Sequence, residues 1–132
     1  MASIFSKIIE GTIPAYKVAE NEHFLAFLDI SPVAKGHTLV VPKKEIDYIF
    51  DLEDDLLQAM MLFSKKVAKG LKAVVPCNRI GVSVIGLEVP HAHIHLVPIS
   101  HLIDLDFAKP RVQLSAAEMT ALAASIQDAI VL

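Results

Sequence analysis

The sequence contains one cysteine, no tryptophan and no long apolar run. A single cysteine, Cys77, excludes an internal disulfide bond and a zinc centre built from several cysteines. No apolar stretch approaches the roughly 20 residues that span a bilayer, and Glu10 and Gly11 interrupt what would be the apolar core of a signal peptide. We therefore expect a soluble, cytoplasmic protein.

An excess of basic residues is also lacking. Twelve lysines and arginines face fifteen aspartates and glutamates, which gives a net charge of −3. This balance argues against a general binder of nucleic acids or anionic membranes. Because 54% of the 132 residues are hydrophobic, the chain is long and apolar enough for one core. We predict a single domain over residues 1–132.

Residues 91–98, HAHIHLVP, alternate histidine with aliphatic residues. Such alternation predicts a half-buried strand, with successive imidazoles about 6.5–7 Å apart on one face. The three histidines are His91, His93 and His95. Imidazole is the commonest metal ligand, and near neutral pH it is also a nucleophile and a proton carrier. The segment therefore predicts either a metal site or a site for phosphate chemistry.

The remaining pattern predicts an α+β fold in which an antiparallel sheet of about five strands meanders, with all helices on one side. The predicted strands are residues 16–20, 23–30, 37–41, 78–85 and 91–98. The predicted helices are a short one over residues 3–10, a long one from Asp51 to about Leu71, and a final one from Ser115 to about Val131. Residues 99–113 show no clear period.

Two other segments accompany HAHIHLVP in a recognisable order. They are IFSKIIEGTIPAYKV, residues 4–18, and AFLDISPVAKGHTLVVPKKE, residues 26–45. Together the three segments resemble the histidine triad (HIT) family of nucleotide hydrolases and transferases, of the bacterial histidine triad nucleotide-binding protein type. The likeness covers residues 4–98 and leaves residues 99–132 as a C-terminal extension with a final helix.

The resemblance implies a mechanism centred on His93. In the family the middle histidine attacks the α-phosphorus of a nucleotide, and water then hydrolyses the nucleotidyl-histidine (phosphohistidine) intermediate. The backbone carbonyl of the first histidine, here His91, fixes the tautomer of the nucleophile. The resemblance also implies that the rings of His91 and His95 donate hydrogen bonds to the phosphate, and that His37 is directed at the same site. Read alone, a histidine that starts a strand is more often structural.

The resemblance further implies a nucleotide-binding set. Asp29 matches the family aspartate that accepts hydrogen bonds from the ribose hydroxyls. The residues that match the positions around the base are Phe5, Ile8, Phe27, Leu28 and Ile30. From their pattern alone, these five are core residues.

Assembly is a further implication of the resemblance. Family members are mostly two-fold dimers, so we expect a homodimer. Met60, Met61 and Phe63 on the long helix offer an apolar surface for it.

The chain departs from the family where many bacterial members bind structural zinc. Those members carry Cys-x-x-Cys near the start and a histidine after the PKK segment, and here the positions read Ser3, Ser6 and Glu45. Two neutral hydroxyls and a carboxylate make a poor tetrahedral zinc site. We therefore expect no bound metal and no cofactor.

A second departure precedes the histidines. The connection before His91 is about three residues shorter than in many members, and Ser83 replaces an asparagine there. Leu87 and Glu88 replace a glutamine and a hydroxyl residue that face the leaving group. Leucine cannot donate a hydrogen bond, and an ionised glutamate repels phosphate, although Ser83 retains one donor.

These features predict a metal-independent hydrolase or transferase of purine nucleoside phosphoramidates or related monoesters. Two alternatives stay open: a nucleotide-binding module with little turnover, and a metallohydrolase that uses the three histidines as ligands. No aspartate or glutamate lies inside the histidine segment, which disfavours the metallohydrolase.

Overall fold

A computed structural model describes residues 2–132 and contains one five-stranded antiparallel sheet. The strands are β1 (Lys17–Glu20), β2 (Phe24–Leu28), β3 (Thr38–Pro42), β4 (Arg79–Ser83) and β5 (Ile94–Ile99). The helices are α1 (Ile4–Glu10), α2 (Asp54–Val74) and α3 (Ala116–Ala129), with short 3-10 turns at Ile49–Asp51 and Leu102–Leu105. The predicted α+β class with a five-stranded antiparallel sheet is confirmed.

The strand order is β1-β2-β3-β5-β4, so the predicted meander is correct only for the first three strands. After β3 the chain crosses through α2 and returns as β4 at the edge of the sheet. Strand β5 then pairs with β4 and with β3. The histidine strand therefore lies inside the sheet, between two hydrogen-bonded neighbours.

Helices lie on both faces of the sheet, which corrects the prediction that all lie on one side. In β2, Phe24, Ala26 and Leu28 pack into the main core with α2 and α3. Leu25 and Phe27 alternate with them and pack with α1 in a second cluster. Because both faces are covered, β2 is apolar throughout and shows no polar alternation.

Local signals explain the helix ends. The Ser3 side chain caps α1, and Gly11 ends it at φ 86°, a left-handed conformation that glycine adopts without strain. Ser115 and Glu118 form the predicted capping box of α3. The prediction that Asp51 caps α2 is wrong: Asp51 belongs to a 3-10 turn, and Glu53 is the N-cap residue.

Strand β5 begins at Ile94, three residues later than predicted. The backbone N–H of Ala92 donates to the carbonyl of Ile46 at 2.7 Å, and that of His91 donates to Val89 at 2.8 Å. These bonds hold the first histidines in the connection before the strand. Within this connection the predicted alternation still holds for the aliphatic residues, because Ala92 packs in the main core as Ile94 does.

Within residues 2–132, no helix combines the length and apolar composition needed to cross a membrane.

Candidate active site

A pocket of about 440 Å³ opens on the face of the sheet that carries α1. His95 and Leu39 are direct cross-strand partners on β5 and β3, so their side chains share this face, and both line the pocket. His93, Phe5 and Asp29 also line it. The fold thus brings residues from three of the family-like segments to one cavity.

The ring of His93 is fixed in one tautomer. Its Nδ1 lies 2.7 Å from the carbonyl oxygen of His91. A carbonyl can only accept, so Nδ1 carries the proton and Nε2 keeps the lone pair. Burial lowers the pKa of His93, which keeps the ring neutral. The structure therefore presents an imidazole with a basic Nε2 at the pocket.

His91 holds His93 in place but does not reach the pocket. Its Nε2 donates to the carbonyl of Pro42 at 2.7 Å, and its Nδ1 accepts from the Ser3 hydroxyl at 2.7 Å. The residue is fully buried. This corrects the expectation that the His91 ring donates to phosphate, because both ring nitrogens already have partners.

A single backbone amide determines the tautomers of the other two histidines, His37 and His95. The N–H of Val33 donates to Nδ1 of His37 at 3.1 Å, so Nε2 of His37 carries the proton and donates to Nδ1 of His95 at 2.9 Å. The Nε2 of His95 is therefore an N–H donor, and its ring lines the pocket. Burial lowers the pKa of His37 to about 3 and that of His95 to about 4. His37 thus acts through His95.

The predicted nucleotide-binding residues divide into three groups. Asp29 lines the pocket, where it accepts from the N–H of Ser31 at 2.8 Å, and burial raises its pKa. Phe5 also lines it, with its ring edge-on to His93 at 5.0 Å. Ile8 and Phe27 pack behind Phe5.

The structure does not bring the last two predicted base contacts to the pocket. Leu28 points into the main core on the opposite face of the sheet, because successive strand residues alternate. Ile30 is 80% exposed beyond the end of β2. The pattern could not separate these two from Phe27, since all are apolar.

The segment before the histidines forms one wall of the pocket. Glu88 and Leu87 both line it, and the Leu87 side chain is almost fully exposed. Ser83 lies at the end of β4, paired with His95 across the ladder. The carboxylate of Glu88 therefore faces the same cavity as His93.

Phe107 and Arg111 complete the pocket, and the sequence did not identify either. The Phe107 ring packs edge-on against His95 at 4.8 Å and in a tilted arrangement against His37 at 5.6 Å. The guanidinium of Arg111 lies 5.6 Å from the Phe107 ring centroid. Residues 107–111 show neither helical nor strand periodicity. The one sequence signal for Arg111 is the rarity of arginine, since only two of the twelve cationic residues are arginines.

Two clusters have ligand types that metals use. Donor atoms of Asp29, His37 and His95 lie within 4.8 Å of one another. Both ring nitrogens of His37 already have hydrogen-bond partners, the N–H of Val33 and Nδ1 of His95, so a metal would have to break one of these bonds.

The second cluster occupies the place of the family zinc site. The backbone N–H of Ser3 and the hydroxyl of Ser6 both donate to Glu45 at 2.6 Å, and the Ser3 hydroxyl donates to His91. These hydrogen bonds lower the pKa of Glu45 to about 2. Neutral hydroxyls are poor zinc ligands, and Nδ1 of His91 already accepts a hydrogen bond from Ser3, so the residues do not fit zinc.

Known proteins are similar to this chain in sequence. Residues 10–102 match the HIT domain family. Protein hit of Bacillus subtilis is 41% identical over 102 residues, which cover 72% of this chain and 69% of that protein. The adenosine 5'-monophosphoramidase HNT1 of Saccharomyces cerevisiae is 39% identical over 101 residues, 74% of this chain and 62% of that protein.

Solved structures agree over almost the whole length. A Hit-like protein from Bartonella henselae, described as involved in cell-cycle regulation and crystallised with an unknown ligand, superposes with a TM-score of 0.84. It is 28% identical, and the match covers 97% of this chain and 96% of that one. By its matched domain, its relatives and its fold, the chain belongs to the HIT family.

Proposed function

We propose that this protein hydrolyses or transfers nucleoside phosphates at the α-phosphate, without a metal, through a nucleotidyl intermediate on His93. One observation carries the proposal: the 2.7 Å bond from Nδ1 of His93 to the carbonyl of His91. That bond leaves Nε2 as the basic nitrogen of a ring that lines the pocket. The similarity to a yeast adenosine 5'-monophosphoramidase supports a nucleotide substrate.

The reaction consists of two displacements at phosphorus. In the first, the Nε2 lone pair of His93 forms an N–P bond while the bond from phosphorus to the leaving group breaks, and the leaving nitrogen or oxygen takes a proton from water. The His93 ring becomes cationic, and its Nδ1–H bond to the His91 carbonyl strengthens. In the second, water attacks phosphorus and gives up a proton, which neutralises the hydroxide left by the first step, while the N–P bond breaks and its electron pair returns to Nε2.

The surrounding groups stabilise charge on the phosphate. The Nε2–H of His95 is a fixed donor at the pocket, because His37 holds the other ring nitrogen. A preorganised donor of this kind contributes a few kcal/mol, roughly 2.7–4 in measured cases. Asp29 lines the same cavity and offers a carboxylate oxygen to the ribose hydroxyls.

Purine nucleoside phosphoramidates are the substrate class that we propose. Glu88 lines the pocket, on the wall where the resemblance to the family puts the leaving group. A neutral or cationic amine tolerates that carboxylate, whereas a polyphosphate is repelled by it.

Replacement of the nucleophile tests this function. His93→Ala should abolish turnover of adenosine 5'-phosphoramidate and retain most of the affinity for AMP, because the ribose and base contacts lie elsewhere. His95→Ala and His37→Ala should lose less, roughly 10²–10³-fold in kcat, the cost of one missing donor. His23→Ala, at an exposed histidine outside the pocket, serves as the control. Wild-type kcat in His93→Ala would refute the covalent mechanism.

The two alternative functions give different results in the same assay. A nucleotide-binding module would bind AMP without measurable turnover by the wild-type protein. A metallohydrolase that uses His91, His93 and His95 as ligands would lose activity in EDTA and recover it on addition of metal, and so would one that uses the cluster of Asp29, His37 and His95. We expect full activity in EDTA.

A further inference from the structure

The pocket has little positive charge for a site that takes an anionic substrate. Burial keeps the rings of His37 and His95 neutral. Two carboxylates, Asp29 and Glu88, line the cavity. In the part of the chain that the structure describes, Arg111 is the only lysine or arginine that lines it.

The position of Arg111 is fixed by contacts on both sides. One guanidinium nitrogen donates to the carbonyl of Ser31 at 3.1 Å, and the other donates to the carbonyl of Phe107 at 3.3 Å. The N–H of Val112 donates to Pro32 at 2.8 Å, which attaches this segment to the loop after β2. Arginine has five N–H donors, so three remain after these two bonds.

Arg111 is also close to the donor side of the site. Its positive charge lowers the pKa of both His37 and His95, and the Phe107 ring beneath it packs on both imidazoles. The guanidinium therefore lies near both imidazoles, and Arg111 and His95 line the same pocket. Residues 107–111 lie outside the matched domain, which ends at residue 102.

We propose that Arg111, together with the Nε2–H of His95, binds the phosphate group of the nucleotide and makes the site select nucleotides over nucleosides. This inference rests on the proposed function, because it places a nucleotide phosphate in the pocket. Guanidinium groups bind phosphate oxygens through two parallel hydrogen bonds, and Arg111 has the free donors for this. Arg111 supplies the positive charge at the pocket that the apolar Leu87 and the acidic Glu88 cannot supply.

Binding of AMP and adenosine to the same variants tests the inference. Arg111→Met should weaken AMP binding roughly 10- to 100-fold, the loss expected for a charged hydrogen-bonding group, and leave adenosine binding unchanged. The AMP affinity of Arg111→Lys should fall between those of the wild type and Arg111→Met, because lysine keeps the charge but not the paired hydrogen-bond geometry. Lys109→Met, two residues away and outside the pocket lining, should bind both ligands as the wild type does. Urea unfolding of each variant reports whether it is folded.

Each contrary result has a distinct meaning. Wild-type AMP affinity in Arg111→Met would overturn the inference. An equal loss for AMP and adenosine would also overturn it, since it would show that Arg111 only fastens residues 107–112 to the loop after β2. If His93→Ala keeps turnover while Arg111→Met loses AMP selectively, the covalent mechanism fails and the inference stands.

Discussion

At the residue scale, the site depends on hydrogen bonds that fix which imidazole nitrogen carries the proton. The carbonyl of His91 sets the tautomer of His93, and the amide of Val33 sets those of His37 and His95 in turn. Hydrogen bonding therefore makes His93 a nucleophile and His95 a hydrogen-bond donor, although the two side chains are chemically identical. The same burial that keeps these rings neutral also makes the folded state sensitive to acid.

Acid should destabilise the protein over a defined range. An unfolded chain protonates histidine near pH 6.5, whereas His37 and His95 in the folded protein have pKa values of about 3 and about 4. Below pH 6.5 the unfolded state binds more protons, so the free energy of unfolding falls as the pH falls. We expect urea unfolding to show a loss for each ring of about 0.7 kcal/mol per pH unit at pH 6.5, which rises toward about 1.4 kcal/mol per pH unit at pH 5.

His37→Gln provides the control, because it removes one of the two rings. Its unfolding free energy should depend less steeply on pH over the same range. A wild-type free energy that stays constant from pH 6.5 to 5 would contradict the buried neutral pair.

Glu88 should control the choice of leaving group. We expect kcat/KM of the wild type to favour adenosine phosphoramidates over diadenosine polyphosphates, because the Glu88 carboxylate opposes a multiply charged leaving group. At an effective dielectric of 20 that repulsion amounts to a few kcal/mol, about 4 at close contact. Glu88→Ser should reduce the difference in kcat/KM between the two substrate classes, mainly by raising kcat/KM for the diadenosine polyphosphates. Faster wild-type cleavage of diadenosine polyphosphates would show that this assignment is mistaken.

At the element scale, polar contacts fasten the start of α1 to the rest of the site. Ser3, Ser6 and Glu45 bond to one another and to His91, so the start of α1 supports the residue whose carbonyl holds His93. We expect protein purified without added metal to contain no stoichiometric zinc by elemental analysis. About one zinc per chain would contradict this assignment.

The sequence predicted the elements better than their arrangement. Alternation located the histidine segment and its apolar partners, and capping residues located α1 and α3. It could not show that Ala92 bonds to Ile46 ahead of β5, nor that the His91 ring bonds to Pro42 and Ser3 and does not reach the pocket. Nor could it identify Phe107 and Arg111, because their segment has no period and reaches the site only through tertiary contacts.

At the scale of the whole molecule, an apolar surface remains exposed. Two of the three residues predicted to form a dimer surface, Met60 and Phe63, are buried in the chain's own core, and only Met61 is exposed. A groove of about 770 Å³ lies beside it. Its exposed apolar residues include Tyr48, Phe50, Met61, Val84 and Ile85. An amphipathic helix pattern cannot tell which face the chain itself covers.

We predict that two copies of the chain associate through this groove. Light scattering at micromolar concentration should give the mass of two chains for the wild type and of one chain for Phe50→Glu, which places a charge in the apolar surface. Leu102→Glu, at a leucine that is more exposed than Phe50 and lies outside the groove, should remain a dimer. A wild type with the mass of one chain would refute the predicted assembly.

The central claim, a covalent intermediate formed by His93, fixes the stereochemistry at phosphorus. Two successive in-line displacements, first by His93 and then by water, each invert the configuration. A chiral adenosine phosphorothioate amidate hydrolysed in isotope-labelled water should therefore give a product with net retention. Net inversion would mean that water attacks the substrate directly, and would contradict the account.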